Sequence, residues 1–454
     1  MYRIFKSALS LALAVGLLAS CQTKTSTPKD APAEKPLAWS RNANIYEVNI
    51  RQHTKEGTFN AFAKHLPRMK EMGVDILWLM PIFPISEKNR KGSLGSYYSV
   101  RDYRAVNPEF GTMEDLKNLV KKAHELGMHV VLDWVANHTG WDSDLITKHN
   151  DWYTKNEKGE IVSPVEDWSD TADLNFDKEE LRDYMIGSLK FWIEQADVDG
   201  FRCDMAAMVP TDFWNRARKE LDAVKPVFML AEAWEPELVE EAFDMAYAWD
   251  FHHLMNDIAK GEKNAKEIDA YFTKIDTLYP KDAYLMNFLT NHDENSWAGT
   301  IKERMGDGGK TFAVLTFTMP GMPMLYSGQE AGLDHRLKFF EKDEIKWDNK
   351  ELIPFYTQLL SLKSTNKALR NGVQGGKLVR IPSDKDEAVY AFVREKDGDK
   401  VVVILNLTDK AVEANLNSAA LAGEYTNHFT GTKENLKTEA KVALKPWEYR
   451  VYVK

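Results

Sequence analysis

The chain has 454 residues, 44% of them hydrophobic and 28% charged, with a net charge of −10. This balance excludes a disordered or collagen-like chain, and the length suggests two or three domains. The acidic surface argues against nucleic-acid binding, which needs a basic one.

At the N-terminus, Arg3 and Lys6 precede an apolar run from Ala8 to Ala19 that is too short to span a bilayer. The run ends in Leu18-Ala19-Ser20-Cys21, which resembles a bacterial lipobox. Residues 1–20 are therefore expected to be a signal peptide, and Cys21 the lipidated, membrane-anchoring residue of an exported lipoprotein. Residues 21–38 are rich in Thr, Pro, Lys and Ala and read as a flexible tether. No acidic run follows Cys21, so the periplasmic face is expected rather than the cell surface. Cys203 is the only other cysteine. With Cys21 acylated no internal disulfide forms, and Cys203 reads as a buried thiol.

From residue 39, short β-like runs alternate with amphipathic stretches. The expected strands are Ile45–Ile50, Ile76–Met80, His129–Asp133, Gly200–Asp204, Val227–Ala231, Ala246–Asp250, Tyr284–Leu289 and Met322–Leu325. Phe59–Met72, Met113–Leu126 and Lys178–Gln195 show helical periodicity. Eight strands with intervening helices predict an α/β fold, a (β/α)8 TIM barrel over residues 39–365. Residues 138–176 are polar and Trp-rich, and form a short domain inserted after strand three. Its brevity suggests an open cleft. Residues 366–454 lose the helical pattern. There Ala388–Arg394, Val401–Leu405 and Tyr449–Val453, with the turn Asp397-Gly398-Asp399, predict an antiparallel β-sandwich.

Four strand ends carry acids and histidines: Asp133-Trp-Val-Ala-Asn137-His138, Arg202-Cys-Asp204, Glu232-Ala-Trp234 and Asn291-His292-Asp293. Each alone is weak, because an Asp at a strand end is commonly a cap. In order, at the face where barrels do chemistry, they are informative. These segments resemble the best-known motifs of glycoside hydrolase family 13, the α-amylase family. Gly73–Ile82, Asp102–Thr112, Asp173-Leu-Asn175 and Gly321–Glu330 resemble further family segments, so the likeness covers residues 39–454.

The resemblance implies a retaining hydrolase of α-glucosidic bonds, α-1,4 first, in starch-derived oligosaccharides. Such chemistry needs one carboxylate to attack the anomeric carbon and one carboxylic acid to protonate the leaving oxygen. By the family pattern Asp204 is the nucleophile, Glu232 the acid/base and Asp293 the third carboxylate, which holds sugar hydroxyls. Tyr98, His138, Arg202 and His292 match substrate-site residues, and Asp133 matches the residue that braces the arginine. Arg202 and Asp204 stand two apart on one strand, so they share a face and the guanidinium is expected to keep Asp204 ionised.

No cofactor is required for this chemistry. Asn137 and Asp173 match calcium ligands of many members, but calcium takes six to eight oxygens. The favoured expectation is that the two hydrogen-bond the inserted domain to the barrel. Ser96-Tyr97 replaces the His-Gly common before the stacking tyrosine, and the bulk of Tyr97 is expected to alter the entrance. Ala207 and Met208 replace the Lys-His of many starch-cutting members, removing polar contacts on the reducing-end side. Members with the Glu-Ala-Trp pattern usually carry an extra N-terminal β domain, for which the span before residue 39 leaves no room. The motifs leave two alternatives: a glucosyl transferase or isomerase working through the same intermediate, or a non-catalytic glucan-binding lipoprotein. The second predicts a broken triad, and Asp204, Glu232 and Asp293 are all present. Nothing in the sequence sets the oligomeric state.

Overall fold

The computed structural model describes residues 37–454. Cys21 and the expected signal and tether lie largely or wholly outside the described residues. Eight parallel strands close into a barrel: β1 (Ile45–Val48), β2 (Ile76–Leu79), β3 (His129–Val135), β4 (Gly200–Asp204), β5 (Phe228–Ala231), β6 (Met245–Tyr247), β7 (Tyr284–Asn287) and β8 (Met322–Tyr326). β1 pairs with both β2 and β8, which closes the ring. The architecture is the expected TIM barrel.

The strands are short apolar runs because both of their faces are covered. Leu77, Leu79, Val130 and Leu132 join the outer core under the helices, while Ile76, Trp78, Val131 and Tyr326 fill the barrel interior. β4 begins at Gly200 because a Cβ there would collide with the carbonyl of Phe228 on β5. Met113–Glu125 forms the expected helix. It opens on a capping box in which Thr112 accepts from the amide of Asp115 while Asp115 accepts from that of Thr112.

Several expected bounds differ; β3 runs on to Val135 and β7 stops at Asn287, and three differences have a local cause. The pattern over Phe59–Met72 divides into two helices, Phe59–Phe62 and Leu66–Met72, the second starting with Pro67 in its first turn. β1 stops at Val48 because Asn49 caps a short helix, its side chain accepting from the amide of Gln52. β6 stops at Tyr247 because Trp249 opens the helix Trp249–Ala259.

The excursion after β3 is anchored by a small ribbon, His138–Gly140 paired with Thr171–Asp173. After residue 377 the chain forms eight antiparallel strands. A six-stranded sheet has the order β9 (Leu378–Ile381), β10 (Val389–Lys396), β11 (Asp399–Asn406), β16 (Tyr449–Val453), β13 (Gly423–Asn427), β14 (Lys433–Leu436). β12 (Val412–Asn417) and β15 (Glu439–Leu444) form a two-stranded second layer. Period-two alternation divides the large sheet. Val389, Ala391 and Val393 face the second layer, whereas Tyr390 and Phe392 join the core of the barrel unit.

Candidate active site

The C-terminal ends of β3, β4, β5 and β7 converge on one cavity of about 450 Å³, lined among others by Tyr98, His138, Asp204, Glu232 and Asp293. Register sets the first contacts. Asp133 on β3 stands opposite Arg202 on β4, and Val135 opposite Asp204. Arg202 is fully buried. One terminal nitrogen donates to Asp133 Oδ1 at 2.7 Å and to Asp204 Oδ1 at 3.1 Å. The other pairs with Glu232 Oε2 at 2.7 Å. Its Nε donates to the hydroxyl of Tyr247 at 3.1 Å, and the guanidinium lies 5.0 Å from the ring centre of Trp78. One planar fork therefore joins three carboxyl groups, a geometry for which lysine has no equivalent.

The expectation that Arg202 keeps Asp204 ionised is corrected here. Burial pushes the Asp204 carboxyl well above the usual carboxylate range and the Glu232 carboxylate adds to the push, so together they outweigh Arg202. Glu232 emerges from β5, its amide donating to the carbonyl of Cys203 at 3.0 Å. Its Oε2 also accepts from the amide of Met205 at 2.9 Å. Met205 adopts φ 43°, a left-handed conformation rare for a side chain of this kind, which turns the amide following Asp204 towards Glu232. Trp234, two residues beyond Glu232, is 57% exposed.

The opposite wall is a relay of charged and aromatic groups. His292 Nδ1 meets Glu47 Oε1 at 2.5 Å. Its Nε2 lies 2.7 Å from the hydroxyl of Tyr98 and 3.1 Å from Asp293 Oδ2. Tyr98 stacks on His292 with ring centres 5.3 Å apart and donates to Asp133 Oδ2 at 3.1 Å. Burial opposes charge on His292, but Asp293 and Glu47 overcome it and lift the imidazole well above its ordinary range. In return, and against its partial burial, Asp293 is held below the usual carboxylate range by His292. His138, also buried, meets no carboxylate, and burial lowers it to about 4. The site thus offers the substrate one cationic and one neutral imidazole.

Glu47 escaped the sequence reading. The signal for it was a single acid within the apolar run of β1, where an unpaired charge would be costly. Tyr97 does not shape the entrance as expected. It is buried, donates to Asn49 Oδ1 at 3.1 Å and lies under the guanidinium of Arg51. Ala207 and Met208 are exposed beyond Met205. Asn137 and Asp173 meet each other, the Asn137 amide nitrogen lying 3.4 Å from Asp173 Oδ1. Among the described residues no group of three or more His, Cys, Asp or Glu side chains could hold a metal ion. The Asn137–Asp173 hydrogen bond ties the end of β3 to the excursion. Cys203 is a free, buried thiol.

The family model "Alpha amylase, catalytic domain" matches residues 37–374, and "Maltogenic Amylase, C-terminal domain" matches residues 380–451. Among solved structures, a noncanonic maltogenic alpha-amylase from Thermotoga neapolitana superposes with a TM-score of 0.83 at 31% identity, covering 91% of this chain and 98% of that one. An alpha-amylase from Lactobacillus plantarum gives 0.83 at 32% identity, covering 92% and 99%. The alpha-amylase MalA of Haloarcula japonica is 27% identical over 427 residues, covering 88% of this chain. The chain spans 60% of the length of that archaeal relative.

Proposed function

The chain belongs to the alpha-amylase family of glycoside hydrolases, and on that premise we propose that it cleaves α-1,4-glucosidic bonds of maltodextrins with retention. The observation that carries this reading is the Arg202 fork joining Asp133, Asp204 and Glu232, with Asp293 facing them from β7.

In the first step the Asp204 carboxylate attacks the anomeric carbon, and Glu232 gives its proton to the departing glycosidic oxygen. The bond between that carbon and the leaving oxygen breaks as the ester to Asp204 forms. In the second step Glu232, now a carboxylate, takes a proton from water. The water oxygen attacks the same carbon and Asp204 is released. Productive chemistry requires the proton on Glu232 and the charge on Asp204, which faces Arg202. Asp293 and cationic His292 hold hydroxyls of the sugar at the cleavage point, neutral His138 holds another, and Tyr98 supplies the stacking plane.

Incubation of the protein with maltoheptaose should give a ladder of shorter maltodextrins. Asp204→Asn should lower the rate by about 10⁴-fold or more, the scale of losing a covalent nucleophile. An Asp204→Asn protein of undiminished activity would refute the reading. Products longer than the starting sugar would make the enzyme a transferase. The Asn137–Asp173 tie is read as calcium-free, and an unchanged melting temperature in excess chelator is the expected result. Attachment to a membrane through acylated Cys21 rests on the lipobox, and the periplasmic face on the lack of an acidic run after it. Incorporation of labelled fatty acid by the wild type but not by Cys21→Ser tests it.

A further inference from the structure

The catalytic cavity has two chemically distinct ends. Glu232 protonates the leaving oxygen, so the departing, reducing-end part of the glucan lies beyond Glu232, towards Met205 and exposed Trp234. The part retained on Asp204 extends the other way, past Tyr98, His292 and Asp293. The short excursion suggests an open cleft, and the second end does not match that expectation.

Three loops meet there: residues 80–112 after β2, the excursion of residues 138–176, and residues 327–352 after β8. Lys91, from the first, donates to the carbonyl of Asp167 at 2.5 Å and pairs with Asp170 Oδ1 at 3.1 Å. Asp170 is buried, and its carbonyl accepts from Ser99 Oγ at 2.8 Å. On the other flank of Lys91, Ser93 donates its amide to Glu341 Oε1 at 2.8 Å, and Leu94 donates its amide to the carbonyl of Phe340 at 3.0 Å. Gly92 lies between Lys91 and Ser93 at φ +63°, so close to the loop after β8 that a Cβ would stand 2.6 Å from the Cβ of Phe340. Lys91, Asp167, Asp170 and Phe340 line the same cavity as Asp204, Glu232 and Asp293. The cavity has a volume of about 450 Å³.

We propose that the wall formed where Lys91 bridges to Asp167 and Asp170 beside Phe340 closes the non-reducing side of the cavity, so that the enzyme removes short oligosaccharides of set length from the non-reducing ends of glucans. This rests on the hydrolase reading above and adds its mode of action. A chain entering by its end fits against the wall. A chain bound in mid-length would have to pass through it. Lys91 is a specificity residue in this account: it touches no reacting atom and decides how much sugar lies beyond the cleaved bond.

The test uses two forms of maltoheptaose, both carrying a fluorescent tag at the reducing end. One has a free non-reducing end and the other bears a cyclic acetal across its terminal 4- and 6-hydroxyls. For the wild-type protein, the free sugar should lose one fixed short unit first, leaving a single early tagged product. The blocked sugar should be cut at least about 100-fold more slowly, equivalent to ~2.7 kcal/mol. Lys91→Ala should raise the ratio of blocked to free rates about tenfold and broaden the set of early tagged products, the scale of one partly screened ion pair and its hydrogen bond. Asp170→Asn, which removes the charge while keeping the shape, should move the ratio in the same direction and serves if the alanine variant folds poorly. Equal wild-type rates on the two sugars, with scattered early products, would overturn the wall while leaving the hydrolase reading intact. Failure to cut either sugar would overturn the hydrolase reading and the wall with it. A wild-type preference unmoved in both folded variants would overturn the role given to Lys91.

Discussion

The contact between Glu47 and His292 carries a prediction that separates charge from shape. Glu47 is fully buried in β1 and meets His292 Nδ1 at 2.5 Å, so salt and water screen it little. Glu47→Gln keeps the side-chain volume and leaves an oxygen to accept from Nδ1–H, but removes the negative charge. An opposite charge at this range moves a pKa by about 1–3 units. Asp293 remains as the other partner, so a fall of about 1–2 units in the imidazole is expected, equivalent to ~1.4–2.7 kcal/mol. His292 is raised above its unfolded value. Its contribution to stability is therefore complete below about pH 6.5 and is lost as pH rises through the folded value. In Glu47→Gln that loss should come at lower pH. If the cationic imidazole is what holds the sugar, the alkaline limb of kcat/KM against pH should move down by the same 1–2 units, while the acid limb moves less. The assay is initial-rate hydrolysis of maltotriose from pH 5 to 10, with circular dichroism to establish that the variant is folded. An alkaline limb identical to that of the wild type, in a folded variant, would refute the claim that Glu47 sustains the charge on His292.

Arg202→Met should destabilise the protein by about 3–5 kcal/mol, because it leaves Asp133, Asp204 and Glu232 facing one another without their shared cation; urea unfolding measures it, and a change below 1 kcal/mol would contradict the fork. Asp199 gives a test remote from the site. Despite burial, which raises it, hydrogen bonds from His124 and the amide of Val130, with His129 and Lys225 close by, hold its carboxyl far below the usual range. Such a group contributes stability above its unfolded value and loses it as pH falls through the folded value. Asp199→Asn should therefore cost about 2 kcal/mol at pH 7, and the difference should shrink on acidification; a gap that widened towards pH 3 would reverse the sign of the argument.

Much of the architecture is written in local pattern. The eight barrel strands are apolar runs bounded by helices, and period and length suffice to find them. The hairpin at Asp397-Gly398-Asp399 joins β10 to β11, with φ 50° at Asp397 and 90° at Gly398, as its turn residues indicate. That Asp204, Glu232 and Asp293 meet in one cavity was legible because each lies in or just beyond a strand end in a motif that can be quoted from a few neighbouring residues.

What tertiary structure alone decided are relations between residues far apart in the chain. Glu47 and His292 are 245 positions apart, and no periodicity in β1 names its partner on the loop after β7. The fork of Arg202 was half visible. Its place beside Asp204 follows from strand geometry, whereas its reach to Glu232 depends on β4 and β5 being neighbours. The direction of the Asp204 shift was missed because the sequence shows which charges are near but not how completely water is excluded, and here burial outweighs the arginine. The same limit explains Tyr97 and the cleft. Bulk near a motif says nothing of whether a ring points out or inward under Arg51, and a short insertion reads as an open cleft until Lys91 and Phe340, from loops at opposite ends of the barrel sequence, are found side by side. Strand identity and catalytic side-chain type are properties of short segments; charge state, access and the length of sugar admitted arise from what the closed barrel brings into contact.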